Sequence, residues 1–307
     1  MRTWKELNFG CELGIGTWAW GDKSVWGYGK GYTDSDIKQA FDTSISSGIS
    51  FFDTAEVYGF GKSEKFIGRF KKVIQQPVFI ATKFMPTPWR LRQGDLISAL
   101  KNSLLRLDVS SLDLYQIHWP LHLRSQNTWM DALAEAFEQG LTRAVGVSNY
   151  SADQMKRAHA RLAERGIQLL SNQVEYSLLH RNPETNGVLG ACKQLGVKLI
   201  AYSPLAMGVL TGKYSTSHRL GGYRGLRFNR YLSNIEKLIG LLREIGGAHS
   251  NKSPSQVALN WCICKDTFPI PGAKNANQAR ENAGGQGWSL KEDEIQSIET
   301  AAESVRL

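Results

Sequence analysis

Cysteine is scarce in this chain: Cys11, Cys192, Cys262 and Cys264 are the four in 307 residues. That excludes a disulfide-built framework and makes reduced thiols, as in a cytoplasm, the expected state. Cys262-x-Cys264 has the spacing of half a metal site, but no second half accompanies it. "PSQVALNWCICKD" reads as a buried helix in which both cysteines are small apolar side chains, so no metal is expected. Long apolar runs are missing too. Nothing approaches the roughly 20 consecutive apolar residues of a spanning helix, and no membrane partner is expected. The N-terminal "MRTWKELNFG" lacks the apolar region of a secretory signal, so the expected location is cytoplasmic. A cytoplasmic chain leaves the glycosylation-like triplets Asn149-Tyr150-Ser151 and Asn251-Lys252-Ser253 unused. Linkers and low-complexity tracts are also lacking, which favours one domain over residues 1–307. No self-association stripe stands out, which favours a monomer.

What is present is ordinary for a globular protein: 42% hydrophobic and 21% charged residues, enough for a sizeable core. A formal charge of +9 points to an anionic partner, either nucleic acid or a phosphorylated cofactor. The densest basic stretch is "HRLGGYRGLRFNRY", where Arg219, Arg224, Arg227 and Arg230 interleave with Tyr223 and Phe228. Such a mixture can bind single strands. With no nucleic-acid module around it, it reads as a solvated loop, and no nucleic-acid partner is expected.

Short β-rich runs recur at 13–18, 49–55, 77–84, 112–119, 144–149, 169–176, 197–204 and 267–272. Their Val, Ile and aromatic content suits strands buried on both faces. Helical patterns lie between them. "TDSDIKQAFDTSISSG" opens on a Thr33 or Asp34 cap and sets Ile37, Ala40, Phe41 and Ile45 on one stripe. "GDLISALKNSLLRLD" does the same with Leu96, Leu100, Leu104 and Leu107. Further helices are expected from Thr128 to Gly140, from Ser151 to Gly166, and in the segments beginning at Asn182 and Ser253. Eight strand–helix repeats match a parallel (β/α)8 TIM barrel, against a doubly wound sheet as competitor. "KELNFGCELG" reads as a small N-terminal hairpin closing the barrel floor.

Two motifs fail on their mechanics. Gly14-Ile-Gly16-Thr-Trp-Ala19 matches a dinucleotide fingerprint, yet "WGDKSVWGYGKGY" follows it where a helix must start. Gly61-Lys62-Ser63 has the tail of a phosphate loop, but Glu56 stands where its first glycine belongs. The glycines at 59 and 61 instead suit a tight turn before a helix starting near Ser63.

In such a barrel, catalytic residues gather where strands stop. Asp53 ends the second strand, Lys83 the third and His118 the fourth, and Tyr58 lies on the loop after the second. Singly, Asp53 can be a turn cap, Lys83 a solvated side chain and His118 a core residue. Together they make a coherent set. A tyrosine near its usual pKa of about 10 is a poor acid at neutral pH, and a neighbouring ammonium lowers it. Lys83 supplies that charge, Asp53 holds it, and His118 orients a carbonyl oxygen. The set suits protonation of an oxygen as hydride reaches its carbon.

In the settings "FFDTAEVYG", "ATKF" and "LDLYQIHW", these four residues resemble the catalytic tetrad of the aldo-keto reductases. The resemblance runs over nearly the whole chain through "GIGTW", "VGVSNY", "NQVEYSLL", "AYSPLAMGVLTGKY" and "IPGAKNANQARENAG". It implies NADP(H) bound without a Rossmann domain, a small aldehyde or ketone as substrate, and Tyr58 as general acid. It also implies Asn149 and Gln173 on the nicotinamide carboxamide with Ser148 beside them, and Tyr202 stacked on the ring. Ser203, Leu205, Gly208 and Lys213 would follow the pyrophosphate. Lys274 would face the adenosine 2′-phosphate, with Gln278, Glu281 and Asn282 on the ribose and base. Gly16, Thr17, Trp18 and Gly272 join this cofactor set, and Arg224 would close over it from the basic loop. Gln278 stands where some members carry arginine, and lysine is less selective geometrically than a bidentate arginine. Trp18, Trp26, Tyr28, Trp89 and Trp119 lie at or after strand ends and either line an apolar pocket or pack within their loops. Family breadth extends the substrates to aromatic aldehydes, pyridoxal among them. The C-terminal tail after "LKEDEIQSIETAAESVRL" is short, which removes one usual source of specificity. The alternative is a redox-sensing subunit with little turnover, resembling the potassium-channel β subunits.

Overall fold

The computed structural model describes residues 4–121 and 125–305. Eight parallel strands run in sequence order, β1 (Ile15–Gly16), β2 (Phe51–Asp53), β3 (Phe79–Phe84), β4 (Leu114–Ile117), β5 (Val145–Ser148), β6 (Leu169–Glu175), β7 (Lys198–Tyr202) and β8 (Phe268–Ile270). Each forms inside the run expected of it. Helices connect them and pack outside, as a (β/α)8 barrel requires.

Helix starts follow the side chains available for capping. Ser151 and Ser253 each accept from the backbone N–H three residues on, opening the helices Ala152–Ala163 and Pro254–Cys264. The stripe Leu96, Leu100, Leu104 and Leu107 is buried along the helix Gln93–Leu107. The segment from Asn182 divides at Gly187, whose φ of 83° ends one helical turn and starts the helix Val188–Leu195. No helix among the described residues is long and apolar enough to cross a membrane.

The barrel floor differs from the expected hairpin. Trp4–Leu7 is a one-turn helix, and no strand precedes β1 among the described residues. Leu7 and Phe9 plug the floor against Phe51, Leu114, Leu170 and Phe268. Trp4 meets the Phe9 and Phe268 rings edge-on, with centroids 4.8 and 5.0 Å away. Aromatic packing onto the open barrel end outweighs pairing of two short strands that would have no further neighbour.

Closure between β1 and β8 is sparse, with a single isolated parallel bridge between Gly16 and Gly272 among the described residues. Gly14 and Gly16 N–H donate to the carbonyls of Pro269 and Pro271, both at 3.0 Å. Pro269 and Pro271 have no N–H to return, so the ladder is halved at those two positions. Gly16 permits the approach, because a Cβ there would lie 2.8 Å from the Ile270 carbonyl oxygen.

A second irregularity shapes the mouth. Val145 pairs with Leu169 but Gly146 pairs with Ser171, so Leu170 is an extra residue in β6. Leu170 belongs to the inner floor cluster. The bulge then turns Ser171, Gln173 and Glu175 inward, where a regular strand would present Asn172 and Val174. Gly146 is needed opposite it, since a Cβ would come within 2.3 Å of Ser171 Oγ.

Candidate active site

Above the apolar floor, the barrel interior turns polar. Lys83 is fully buried, and its Nζ donates to Asp53 Oδ1, to the Thr54 carbonyl at 2.9 Å and to the Tyr58 hydroxyl at 3.4 Å. Asp53 Oδ2 accepts from Gln173 Nε2 at 2.8 Å and from Gln116 Nε2 at 3.3 Å. The His118 ring stands edge-on to Tyr58, with centroids 5.7 Å apart at 80°. Its Nδ1 is buried without a partner among the described residues.

The electrostatics follow from this burial. Burial alone would draw the Lys83 ammonium down, but Asp53 and Tyr58 more than offset it, and the pKa lies above the ordinary value. Burial and, second, the Lys83 charge push His118 down to about 3, so its imidazole is neutral at physiological pH. Tyr58 departs from the expectation of a lowered pKa. Lys83 does pull it down, but burial acts more strongly and the net direction is upward. Sequence shows the neighbouring charge and not the depth of burial.

Asp53, Tyr58 and His118 lie on one wall of a cavity of about 1000 Å³. Lys83 sits beneath that wall. The cavity runs from the strand ends of β1 and β2 across to β7 and β8, and every residue singled out for cofactor contact lines it. Those are Gly16, Thr17, Trp18, Ser148, Asn149, Gln173, Tyr202, Ser203, Leu205, Gly208, Lys213, Arg224, Gly272, Lys274, Gln278, Glu281 and Asn282. At one end, Asn149 Nδ2 donates to the His118 carbonyl at 3.1 Å, and Tyr202 OH donates to Asn149 Oδ1 at 3.1 Å. Asn149 and Ser203 follow β5 and β7 directly with φ of 63° and 52°. Such left-handed backbone concentrates at functional sites.

Trp18, Trp26 and Trp119 also line the cavity, whereas Tyr28 and Trp89 do not. The Tyr28 phenol donates to Asp34 and its ring packs edge-on against Tyr32 and Phe66. Trp89 is 77% exposed. Position after a strand end does not fix which way a loop aims its side chain.

The basic stretch is a helix, Gly222–Phe228, where a loop was expected. Arg224 and Arg227 both line the cavity, and Arg227 ties this helix to the end of β6 through Glu175 at 2.7 Å. The two rejected motifs have structural roles. β1 leads into turns, and the next helix starts only at Asp34. Gly61, with φ of 81°, opens the helix Lys62–Lys71, and Ser63 Oγ is buried against the Thr17 and Thr54 hydroxyls at 2.7 and 2.9 Å. Among the described residues, no group of His, Cys, Asp or Glu is placed to hold a metal ion. Gln116 was not foreseen. Its signal was a lone amide two residues before His118, on the inward side of an otherwise apolar strand. Glu175 was missed as a cavity residue for want of any local pattern, whereas Arg227 stands in the basic stretch already noted, from which only Arg224 was assigned to the cofactor.

Fold and site together define a (β/α)8-barrel protein with tyrosine, lysine, aspartate and histidine gathered at the mouth. The aldo/keto reductase family model matches residues 12–303. The chain is 41% identical to the chloroplastic pyridoxal reductase of Arabidopsis thaliana, over 97% of this chain and 86% of that protein. It is 31% identical to an aldo-keto reductase of Schizosaccharomyces pombe whose name specifies NADP(+), over 90% of this chain and 86% of that one. A thermostable aldo-keto reductase solved with the inhibitor epalrestat superposes with a TM-score of 0.76 at 32% identity, covering 95% of each chain. The chain therefore belongs to the aldo/keto reductase family of oxidoreductases.

Proposed function

We propose that the protein reduces aldehydes and ketones to alcohols with NADPH, using Tyr58 as the general acid. The observation that carries this reading is the Tyr58 hydroxyl on the cavity wall, 3.4 Å from the buried Lys83 ammonium. Family membership and the relative named for NADP(+) support the cofactor, and the relative named pyridoxal reductase supports a carbonyl substrate.

The cavity wall suits the parts of that cofactor. The Asn149 and Gln173 amides beside Tyr202 match the carboxamide and ring of nicotinamide. Ser203, Leu205, Gly208 and Lys213 offer backbone and charge to a pyrophosphate. Lys274 supplies a cation for the 2′-phosphate, with Gln278, Glu281 and Asn282 alongside for the adenosine. Bound NADPH supplies the hydride that goes to the carbonyl carbon.

The remaining steps belong to the chain. Tyr58 gives its proton to the carbonyl oxygen. Its raised pKa keeps it protonated until then, and Lys83 favours the tyrosinate left behind. Asp53 keeps Lys83 charged and in place. Neutral His118 has an N–H to offer the same oxygen, which fixes the approach of the substrate. Trp18 and Trp119, partly exposed on the wall, give a flat ring an apolar path, and pyridoxal is the first aldehyde to try.

The test is NADPH oxidation with pyridoxal and a panel of aromatic and aliphatic aldehydes and ketones. Tyr58→Phe should lower turnover by about 10²–10⁴-fold, the usual contribution of a positioned acid, while NADPH still binds. A protein that binds NADPH yet reduces none of the panel sinks the proposal, as does a Tyr58→Phe variant with the original rate.

A further inference from the structure

Two cations from distant parts of the chain converge on one indole. Lys274, just beyond β8, places Nζ 4.7 Å from the Trp26 ring centre and 4.8 Å from that of Tyr32. The same Nζ donates to the Trp26 carbonyl at 3.2 Å. Arg224, on the helix Gly222–Phe228, has its Cζ 6.0 Å from the Trp26 ring. Arg224 otherwise donates to the Met207 carbonyl at 3.3 Å and the Tyr214 hydroxyl at 3.2 Å. Among the described residues, neither cation has a carboxylate within ion-pair distance. Both line the cavity, and so does Trp26.

Trp26 is itself weakly anchored. Its indole N–H is buried without a partner among the described residues, a cost that a purely structural tryptophan would normally avoid. The Asp22 carboxylate accepts its backbone N–H at 3.1 Å, and Trp18 meets its ring edge-on at 5.6 Å. What the ring offers is a π face, and the strongest use of a π face beside desolvated ammonium is to hold it.

We propose that Trp26 is a positioning residue for cofactor choice: its ring and carbonyl fix the Lys274 ammonium for the 2′-phosphate, and so set the preference for NADP(H) over NAD(H). This rests on the assignment of Lys274 to that phosphate made above. A free lysine gives up rotamer freedom when it binds, which a pre-held one does not lose again. Burial and, second, Arg224 draw the Lys274 pKa down to about 8. The ammonium thus stands short of counter-charge, a deficit that the phosphate dianion fills and a 2′-hydroxyl does not. Trp26 accordingly moves from the substrate wall, where its position after β1 had placed it, to the cofactor end.

The experiment measures Kd for NADPH and NADH on the full chain carrying Trp26→Leu or Trp26→Phe. Leucine keeps apolar bulk without the π face, and phenylalanine keeps a face. Trp26→Leu should weaken NADPH by about 5–30-fold, the worth of a desolvated cation–π pair, and NADH by less than about twofold. Trp26→Phe should restore most of the ratio, which a merely structural loss would not do. Equal weakening of both nucleotides by Trp26→Leu overturns the inference. So does no change in either, or a phenylalanine variant that behaves as leucine. If Trp26→Leu fails to fold, Trp26→Met, which also keeps apolar bulk without a π face, takes its place and is read by the same outcomes. Wild-type protein that binds both nucleotides alike rejects this role while leaving carbonyl reduction intact. Binding of neither nucleotide rejects the proposed function itself.

Discussion

Gln173 reaches across the barrel mouth to Asp53, donating from Nε2 to Oδ2 at 2.8 Å. Its backbone carbonyl accepts from Ser148 Oγ at 2.8 Å, and that hydroxyl accepts from Asn149 Nδ2 at 3.0 Å. One residue, through its side chain on one side and its backbone on the other, thus joins the carboxylate beneath Tyr58 to the amide proposed for the cofactor. The extra residue in β6 makes it possible, because without that bulge Gln173 would face the helices.

The Asp53–Lys83 pair should behave as a unit in unfolding. Both side chains are almost wholly buried. Lys83→Met or Asp53→Asn alone should cost about 3–5 kcal/mol, since each strands its partner away from water. The double variant should cost less than the two added together, by at least about 1 kcal/mol, read by denaturant unfolding. Strict additivity would show that the pair is not electrostatically coupled.

NADPH affinity should fall as pH rises through the Lys274 pKa of about 8. Below that pH the ammonium is charged and, in the proposed role, would face the phosphate, and above it the charge is lost. NADH, with no phosphate to meet, should show no such fall. Titrating both nucleotides from pH 6.5 to 9.5 checks this, and parallel curves would remove Lys274 from the role.

His118 should make the fold acid-sensitive. Its folded pKa, about 3, lies below the unfolded value of about 6.5, so the unfolded chain binds the extra proton between them. Stability held above pH 6.5 is therefore lost progressively as pH falls toward 3. His118→Gln should flatten that part of the stability profile, and an unchanged slope would place the acid sensitivity elsewhere.

Gly16→Ala should strain the seam. The new Cβ would meet the Ile270 carbonyl oxygen at 2.8 Å, a backbone atom that cannot move aside alone. A loss of about 1–3 kcal/mol is expected in thermal or denaturant unfolding, as for other overpacked positions. NADPH binding should weaken with it, because Gly16 and Gly272 share the cavity wall. Unaltered stability would mean that β1 and β8 part at no cost.

The eight strands were legible because each is a short β-branched or aromatic run bounded by turns, and the helices because serine and threonine caps precede apolar stripes. The gathering of Asp53, Tyr58, Lys83 and His118 at one end of the barrel was legible for the same reason: three of them stand at or beside the ends of recognisable strands. The bulge in "LLSNQVEY" was not, since Asn172 and Gln173 are adjacent amides and only the pairing with Gly146 decides which faces inward. The floor escaped too. "KELNFGCELG" alternates enough to suggest a hairpin, and its true course depends on Phe51 and Phe268, far away in the chain. Tyr28 and Trp89 show the limit for loops, where Asp34 captures one and solvent surrounds the other. The upward Tyr58 pKa is a matter of depth, which no local pattern encodes.

The proline-bearing seam also bears on how the chain avoids the wrong partner while it folds. A last strand awaiting β1 is an open edge, and open edges recruit foreign strands. With proline at 269 and 271, β8 turns toward that side only acceptors, so a stray strand gains half the usual bonds. It must also bring close-fitting backbone like that at Gly14 and Gly16. The native first strand has it, and most intruders do not, so completing the ring doubles as a check on which strand completes it.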